Sequence, residues 1–291
     1  MLRRAGRAAW LALGAVLSLL MLGACTPRAA VLAPMAYAPH PAPGPVSPPK
    51  YFLYVPPELP PGPVRVLLAL HGMGGNGSEF AKPFLPLAQA HGWILAAPTF
   101  GYGDWQNPAK VRAEDPALSR QLIALLDELP WLTGHAVRSR AFVVGFSRGA
   151  QLADRLALFR PDRVAAVASL SAGTYTLPEA VADLNGDGEP DDLPLPFGTA
   201  DMTQWVGHGL DEDLLRTVKF LVCVGGDDTN ASDLPRQWDP LLGRTRVARA
   251  QAFEKSLELL RVPTQLSIFP GAKHQLTPAM AAGVDTFLSK L

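Results

Sequence analysis

Short apolar runs alternate along the chain with segments of helical pattern, and this alternation limits the fold more than any other feature. Strands are predicted at 51–55, 64–70, 93–97, 141–144, 164–170, 220–224 and 264–269. Helices are predicted between them at 78–90, from Asp115-Pro116 to about 129, at 150–159, at 245–260 and from Thr277-Pro278 to the C-terminus. Apolar strands separated by helices are typical of a parallel sheet covered on both faces. We therefore predict an α/β protein with a mostly parallel, doubly wound sheet.

The N-terminus has the pattern of a secretion signal. Arg3, Arg4 and Arg7 precede an apolar run at 10–22, which ends in Leu22-Gly23-Ala24-Cys25. Small residues before a cysteine resemble the lipobox of bacterial lipoproteins, in which the signal is cleaved before an acylated cysteine. The pattern predicts a signal peptide at 1–24 and lipidation of Cys25, with an ordinary signal peptide or an uncleaved anchor as alternatives. We expect an extracytoplasmic protein, held to the membrane of the bacterial cell envelope by two or more acyl chains.

Residues 25–49 are expected to form a tether. Eight prolines and no long apolar run occur between 26 and 49, a composition typical of a semi-extended linker. The remaining segment, 50–291, has the length of one domain. Within it, 175–215 is predicted to be a lid-type insert, or cap, that includes Trp205.

Charge and cysteine content exclude several classes of protein. The 26 Lys and Arg residues balance the 26 Asp and Glu residues, so no basic excess indicates a nucleic-acid partner. Two cysteines exclude a disulfide scaffold and a multi-cysteine zinc site. Cys223 lies in the apolar run 220–224 and is interpreted as a buried core thiol rather than a catalytic one.

The motif with the clearest chemistry is Gly145-Phe146-Ser147-Arg148-Gly149. It directly follows a predicted strand and leads into a predicted helix, which is the setting of a nucleophile elbow. Small flanking residues permit the tight turn, and the helix N-terminus favours negative charge at the serine. The alternative is a glycine-rich turn without chemistry. We take Ser147 as the candidate nucleophile.

A serine nucleophile needs a base and an acid that orients the base. His274 follows the last predicted strand and should lie at the carboxyl edge of the sheet, near Ser147; His208 is the second candidate. Asp228 follows the strand at 220–224 and is the preferred acid. Asp227 is the alternative, with Asp201 or an acid after 164–170 less favoured. The order Ser, Asp, His differs from the orders of the chymotrypsin and subtilisin types.

Backbone amides should stabilise the oxyanion that forms when the serine attacks. The stretch His71-Gly72-Met73-Gly74-Gly75 follows the predicted strand 64–70, and its glycines allow close approach of the backbone to a substrate. The amides of Met73 and Arg148 are the predicted oxyanion pair. A phosphate-binding loop is the alternative, but no lysine follows in the required position.

These motifs together resemble those of an α/β-hydrolase, specifically its secreted esterase branch, which includes feruloyl-esterase-like and polyhydroxybutyrate-depolymerase-like proteins. The resemblance extends from Tyr51 to the C-terminus. It is carried by Leu70-His71-Gly72, Gly145-Phe146-Ser147-Arg148-Gly149, Gly225-Gly226-Asp227-Asp228, Gly271-Ala272-Lys273-His274, Tyr54-Val55-Pro56 and Trp105.

The resemblance implies hydrolysis of a small-molecule or polymeric carboxylic ester through an acyl-enzyme, without a catalytic cofactor. A peptidase, thioesterase or acyltransferase on the same triad is an alternative, because such a triad serves each of these reactions. A non-catalytic lipoprotein that binds the cell envelope is a further alternative. The predicted cap at 175–215, with Trp205, is expected to shape one side of the substrate pocket. Phe100, Tyr102 and Trp105 are expected either to line its other side or to pack in the core.

One segment of the predicted cap departs from the esterase pattern. Oxygen-bearing side chains occur at positions 1, 3, 5 and 9 of the segment 183–191, with Gly188 at position 6 for a sharp turn, a spacing that resembles short calcium loops. The predicted ligands are the side chains of Asp183, Asn185, Asp187 and Asp191 and the backbone carbonyl of Glu189. We expect a structural Ca²⁺ here; a solvated turn is the alternative.

Overall fold

A seven-stranded sheet runs through the part of the chain that the computed structural model describes, residues 47–291. Its strands are β1 (Lys50–Tyr54), β2 (Val66–Leu70), β3 (Ile94–Thr99), β4 (Ala141–Phe146), β5 (Val164–Leu170), β8 (Lys219–Gly225) and β9 (Thr264–Phe269). The strand order is β1-β3-β2-β4-β5-β8-β9. Only β1 is antiparallel to its neighbour, so the prediction of a mostly parallel sheet is confirmed. Two short strands, β6 (Val181–Ala182) and β7 (Asp191–Asp192), pair separately.

Helices cover both faces of this sheet. They are α1 (Gly77–Ala81), α2 (Leu85–His91), α3 (Pro108–Thr133), α4 (Arg148–Phe159), α5 (Met202–Val206), α6 (Glu212–Leu215), α7 (Asp239–Leu242), α8 (Arg246–Leu259) and α9 (Pro278–Leu288). Alternate residues of β2 point to opposite faces, as strand geometry requires. Leu67 belongs to a buried cluster with residues of α2 and α9, whereas Leu68 belongs to one with residues of α3, α4 and α8.

The long helix α3 begins earlier than the sequence predicts. A cap followed by proline occurs twice, at Asn107-Pro108 and at Asp115-Pro116, and the helix starts at the first pair. The Asn107 side chain accepts hydrogen bonds from the amides of Ala109 and Lys110. Asp115 lies inside the helix, fully buried, and its carboxylate binds two arginines of α4 rather than a helix end. The prediction that the helix starts at Asp115 was therefore wrong.

The predicted helix at 78–90 is interrupted. A 3-10 turn at Lys82–Phe84 separates α1 from α2. Pro83 lies within this turn and Pro86 in the first turn of α2, and a proline has no N–H with which to continue a helical ladder.

The part of the chain ahead of residue 47 is not described. The predicted signal peptide at 1–24, Cys25 and all but the last three residues of the predicted tether at 25–49 therefore lie outside the described residues. Within 47–291, no helix is long and apolar enough to cross a membrane.

Cys223 lies on β8 and is fully buried, as predicted. Burial raises the pKa of its thiol to about 12. A thiol in this state is protonated at neutral pH and a poor nucleophile.

Asp154 is a buried carboxyl on α4, the helix that follows Ser147. It has no exposed surface, and one of its oxygens accepts a hydrogen bond of 2.8 Å from the Ser169 hydroxyl. Burial raises the pKa of Asp154 to about 8, although Ser169 and Arg155 act in the opposite direction. The folded protein therefore holds a proton that the unfolded chain releases above about pH 4.

Asp154→Asn is expected to stabilise the protein at neutral pH. The stability associated with the protonated carboxyl is complete below about pH 4 and is lost as pH rises towards 8, because only the unfolded state loses its proton in this range. An asparagine stays neutral and avoids this loss, which at pH 7 corresponds to roughly 2–4 kcal/mol.

Urea unfolding near pH 4 and at pH 7 measures this difference. The variant should match the wild type at the lower pH and exceed it at the higher one. Asp213→Asn, at a side chain that is 95% exposed, is the control and should show no such pH dependence. An Asp154→Asn variant that is equally destabilised at both pH values would contradict the interpretation.

Candidate active site

Ser147 occupies a strained turn between β4 and α4. Its φ of 54° and ψ of −114° are unusual for a residue with a side chain, and its amide donates to the carbonyl of Leu170 on β5 at 2.8 Å. A Cβ added to Gly145 would collide with the carbonyl group of Gly149. A Cβ added to Gly149 would collide with the carbonyl group of Leu70. Both glycines of the motif are thus required by the close approach of backbone to backbone.

Gly149→Ala is expected to lower the free energy of unfolding by about 2–4 kcal/mol, because the rigid backbone of β2 cannot make room for the added methyl group. Gly101→Ala is the matched control, since a Cβ at Gly101 would meet no atom within 4 Å. Urea denaturation of both variants measures the difference. Equal stability of the two variants would show that the turn can relax.

His274 lies in the loop between β9 and α9 and contacts both predicted partners. Its Nε2 is 3.0 Å from the Oγ of Ser147, and its Nδ1 is 2.8 Å from Oδ2 of Asp228. An ionised carboxylate only accepts hydrogen bonds, so Asp228 fixes the proton on Nδ1 and leaves Nε2 to accept from the serine hydroxyl. The structure therefore brings Ser147, His274 and Asp228 together in the predicted order.

The alternative residues do not take part in this contact. Asp227 is hydrogen-bonded through its amide to the carbonyl of Ala272, and none of its described hydrogen bonds involves His274. His208 is exposed, and its Nδ1 lies 2.9 Å from the carbonyl oxygen of Gly209. Asp201 accepts hydrogen bonds from the Leu195 amide and the Trp205 indole, away from the histidine.

Arg246, the first residue of α8, binds the buried acid from its other side. Its Nη1 donates to Oδ1 of Asp228 at 2.9 Å, and its Nη2 donates to Asp233 at 3.3 Å. Burial opposes ionisation of Asp233, but hydrogen bonds from Ser232 and Arg246 outweigh it and lower the pKa of Asp233. Sequence reasoning missed Arg246, because nothing in its local pattern distinguishes it from other arginines at a helix start.

The Arg148 side chain points away from the serine and into the protein. It is 1% exposed, pairs with Asp115 and donates to Glu114 at 2.7 Å. Burial disfavours its charge, but Asp115, Tyr102 and Glu114 outweigh this effect and raise the pKa of Arg148. These contacts anchor the residue whose amide is predicted to bind the oxyanion.

His71 holds the other predicted oxyanion segment in place. Its Nε2 accepts a hydrogen bond of 3.0 Å from the amide of Phe100, so the proton lies on Nδ1, which donates to the carbonyl of Gly72 at 2.7 Å. Burial lowers the pKa of His71 and keeps the ring neutral. The bond from Phe100 connects the loop after β2 to the loop after β3.

A cleft of about 630 Å³ opens beside Ser147 and His274. The other residues that line it are His71, Gly72, Met73, Gly75, Asn76, Glu79, Phe80, Trp105, Phe146, Arg148, Gln151, Gly173, Asp233 and Arg246. Met73 and Arg148 thus both border the cleft, as their predicted role requires. Their role as oxyanion donors stays a prediction.

Of the predicted pocket aromatics, Trp105 lines the cleft, and its indole donates to the carbonyl of Asp233 at 3.3 Å. Phe100 and Tyr102 pack against each other in the core instead. None of the lining residues of this cleft comes from 175–215. Trp205 donates to Asp201 and packs against Arg112, so the expectation that Trp205 shapes the pocket is not supported.

The four side chains among the predicted calcium ligands accept hydrogen bonds from the loop's own backbone. Asp183 accepts hydrogen bonds from the amides of Gly186 and Gly188, and Asn185 accepts one from Asp187. Asp187 likewise accepts from the amide of Glu189, and Asp191 from that of Leu184. Within the described residues, no group of three or more His, Cys, Asp or Glu side chains is arranged to hold a metal ion. The calcium interpretation therefore gains no support.

Comparison with known proteins shows similarity at the level of the fold. No protein-family model and no curated protein matches the chain. Among solved structures, poly(aspartic acid) hydrolase-1 from Sphingomonas sp. KT-1 aligns with a TM-score of 0.61 and 19% identity over 84% of this chain and 100% of its own. The poly(3-hydroxybutyrate) depolymerase of Bordetella parapertussis aligns with a TM-score of 0.60 and 22% identity, covering 82% of this chain and 83% of its own.

A carboxylesterase from Bacillus cereus is also similar, with a TM-score of 0.52 and 16% identity over 83% of this chain and 93% of its own. The sheet order, the turn at Ser147 and these alignments define the class: the chain has the α/β-hydrolase fold. The fold resemblance predicted from the sequence is thereby confirmed.

Proposed function

We propose that this protein is a serine hydrolase that cleaves carboxylic esters. One observation carries the proposal: a single imidazole, that of His274, is hydrogen-bonded both to the strained Ser147 and to the buried Asp228. A base within hydrogen-bond reach of a nucleophile, oriented by a carboxylate, is the arrangement that activates a serine.

In the first step, the Oγ of Ser147 attacks the ester carbonyl carbon while Nε2 of His274 takes its proton. The amides of Met73 and Arg148 stabilise the negative charge that develops on the carbonyl oxygen. His274 then gives the proton to the leaving alcohol, and the acyl group remains on Ser147. Asp228 stabilises the positive charge that His274 carries between these events.

In the second step, water attacks the acyl-enzyme. His274 removes a proton from the water and returns it to Ser147 as the carboxylic acid leaves. No metal or cofactor takes part in this scheme. The pair formed by Arg246 and Asp228 keeps the acid in position throughout, because the two Asp228 oxygens are held by different partners.

The substrate class is tested with a panel of esters. We expect the protein to hydrolyse p-nitrophenyl esters of graded chain length, and the proposed relation to secreted esterases adds feruloyl esters and hydroxybutyrate oligomers to the panel. The panel also contains the matched thioester, the matched amide and an acceptor alcohol. These compounds test for a thioesterase, a peptidase and an acyltransferase, which can use the same triad. A rate for the thioester or amide that exceeds the ester rate would replace the ester assignment.

We also propose that the mature protein is anchored to the cell envelope through Cys25. The support is the sequence pattern ahead of the cysteine. Labelled palmitate should be incorporated into the wild-type protein and not into Cys25→Ala. Incorporation into both proteins, or into neither, would contradict the anchor.

A further inference from the structure

A second concavity lies at the amino ends of the strands, whereas Ser147 lies at their carboxyl ends. It is a groove of about 650 Å³ at the amino ends of β2, β4 and β5. Its lining residues are Pro61, Pro63, Arg65, Val137, Arg138, Ser139, Arg140 and Ala165. Three are arginines and none is acidic, whereas the cleft beside Ser147 contains carboxylates at Glu79 and Asp233. The two concavities therefore suit different ligands.

Two of the three arginines are already fixed in place. The guanidinium of Arg65 lies 4.2 Å from the centre of the Phe142 ring and donates to the carbonyl of Arg140. The Nε of Arg140 donates to the carbonyl of Val164 at 2.9 Å. Neutral carbonyl groups leave the positive charges uncompensated, and each guanidinium keeps N–H groups that these contacts do not use.

The third arginine, Arg138, is exposed, and no described hydrogen bond or ion pair involves its side chain. Burial lowers the pKa of Arg140; Asp162 acts in the opposite direction, but its carboxylate is itself paired with Arg160. The pKa of Arg65 falls to about 10, first because of burial and then because of the charges of Arg138 and Arg140. The three cations thus repel one another across an open groove.

We propose that this arginine groove, formed by Arg65, Arg138 and Arg140, binds a phosphate group, either free phosphate or the headgroup of an anionic phospholipid. The N–H groups of a guanidinium match the spacing of phosphate oxygens, so one arginine can donate two parallel hydrogen bonds to one phosphate. A bound phosphate would also remove the repulsion among the three cations. The site is separate from the proposed ester hydrolysis and does not depend on it.

The test uses the full chain carrying Cys25→Ala, so that no acyl chain contributes to membrane binding. Inorganic phosphate is titrated at constant ionic strength, with sodium chloride as the balancing salt, and binding is followed by calorimetry and by Tm. We expect a saturable rise in Tm with phosphate. Arg138→Gln and Arg65→Gln should each weaken phosphate binding at least 5-fold, and Arg65→Lys should weaken it less.

Arg244→Gln is the matched control, because this arginine is 84% exposed and lies outside the groove. It should leave phosphate binding unchanged. Equal Tm values in phosphate and in chloride, or equal weakening by Arg138→Gln and Arg244→Gln, would overturn the proposal.

A second arm identifies the source of the phosphate. Vesicles of phosphatidylglycerol and of phosphatidylcholine are compared in a sedimentation assay. Binding to the anionic vesicles that Arg138→Gln reduces at least 5-fold assigns a lipid headgroup to the groove. Phosphate binding without vesicle binding assigns a soluble phosphate. Esterase activity is not a readout in either arm, so failure of the proposed function would not affect the result.

Discussion

Ser147→Ala is expected to lower kcat/KM for ester hydrolysis by about 10⁴–10⁶-fold, with little change in KM. The change removes the nucleophile and leaves the cleft and the oxyanion amides in place. Steady-state kinetics on the best ester of the panel measures the loss. The rate that remains should come from the oxyanion amides and substrate binding alone.

Ser171→Ala is the matched control for this variant. Ser171 also has a positive φ, of 51°, and follows the neighbouring strand β5. Its hydroxyl is buried, and no described hydrogen bond reaches it. We expect Ser171→Ala to stay within a few-fold of the wild-type rate. A Ser147→Ala variant with more than a tenth of wild-type activity would show that another group is the nucleophile.

Asp228→Asn is expected to lower kcat by about 10³–10⁴-fold while the protein remains folded. An asparagine presents an N–H group as well as an oxygen, so it no longer fixes the His274 proton on Nδ1, and it cannot stabilise the charged imidazole. The neutral side chain would also lose the ion pair with Arg246, whose own side chain is 3% exposed. The loss of activity should therefore appear in kcat, and the free energy of unfolding should fall as well.

Asp227→Asn separates this effect from a general effect of charge in the loop. The two aspartates are adjacent, but only Asp228 binds His274 and Arg246. Asp227→Asn should retain activity within a few-fold. If the two substitutions were equally damaging, the assignment of Asp228 as the orienting acid would be wrong.

The central residues of the site were predictable because their signals are local. Gly145 and Gly149 frame a turn that must be tight, and the chain order then places an acid and a histidine after later strands of the same sheet. Parallel strands end at one edge, so Ser147, Asp228 and His274 meet there without further information. The distinction between Asp227 and Asp228 depended only on how far each lies into its loop.

The charged partners behind the site were not predictable in this way. Arg246 binds Asp228, and Arg148 binds Asp115. The two members of each pair are far apart in the sequence, so no local pattern predicts either contact. Asp115 illustrates the difficulty: Asp-Pro has the pattern of a helix start, but the buried charge of Arg148 and Arg155 holds it inside α3. The tertiary environment overrides the capping preference at this position.

The packing of the segment 175–215 was not predictable from the sequence either. Its position after β5 suggested a cap over the site, but Tyr175 stacks on Phe253 of α8, and Ser256 of the same helix donates to Glu179. Which neighbour an insert packs against is decided by these contacts and not by its place in the sequence.

The most direct test of the account is the reaction of the protein with a fluorophosphonate probe, with the adduct located by peptide mass spectrometry. Such a probe labels only a serine whose hydroxyl is activated by its surroundings. We expect one adduct, on Ser147, which is absent from Ser147→Ala and forms much more slowly in Asp228→Asn. A folded wild-type protein that forms no adduct, or an adduct on another residue, would contradict the claim that His274 and Asp228 activate Ser147.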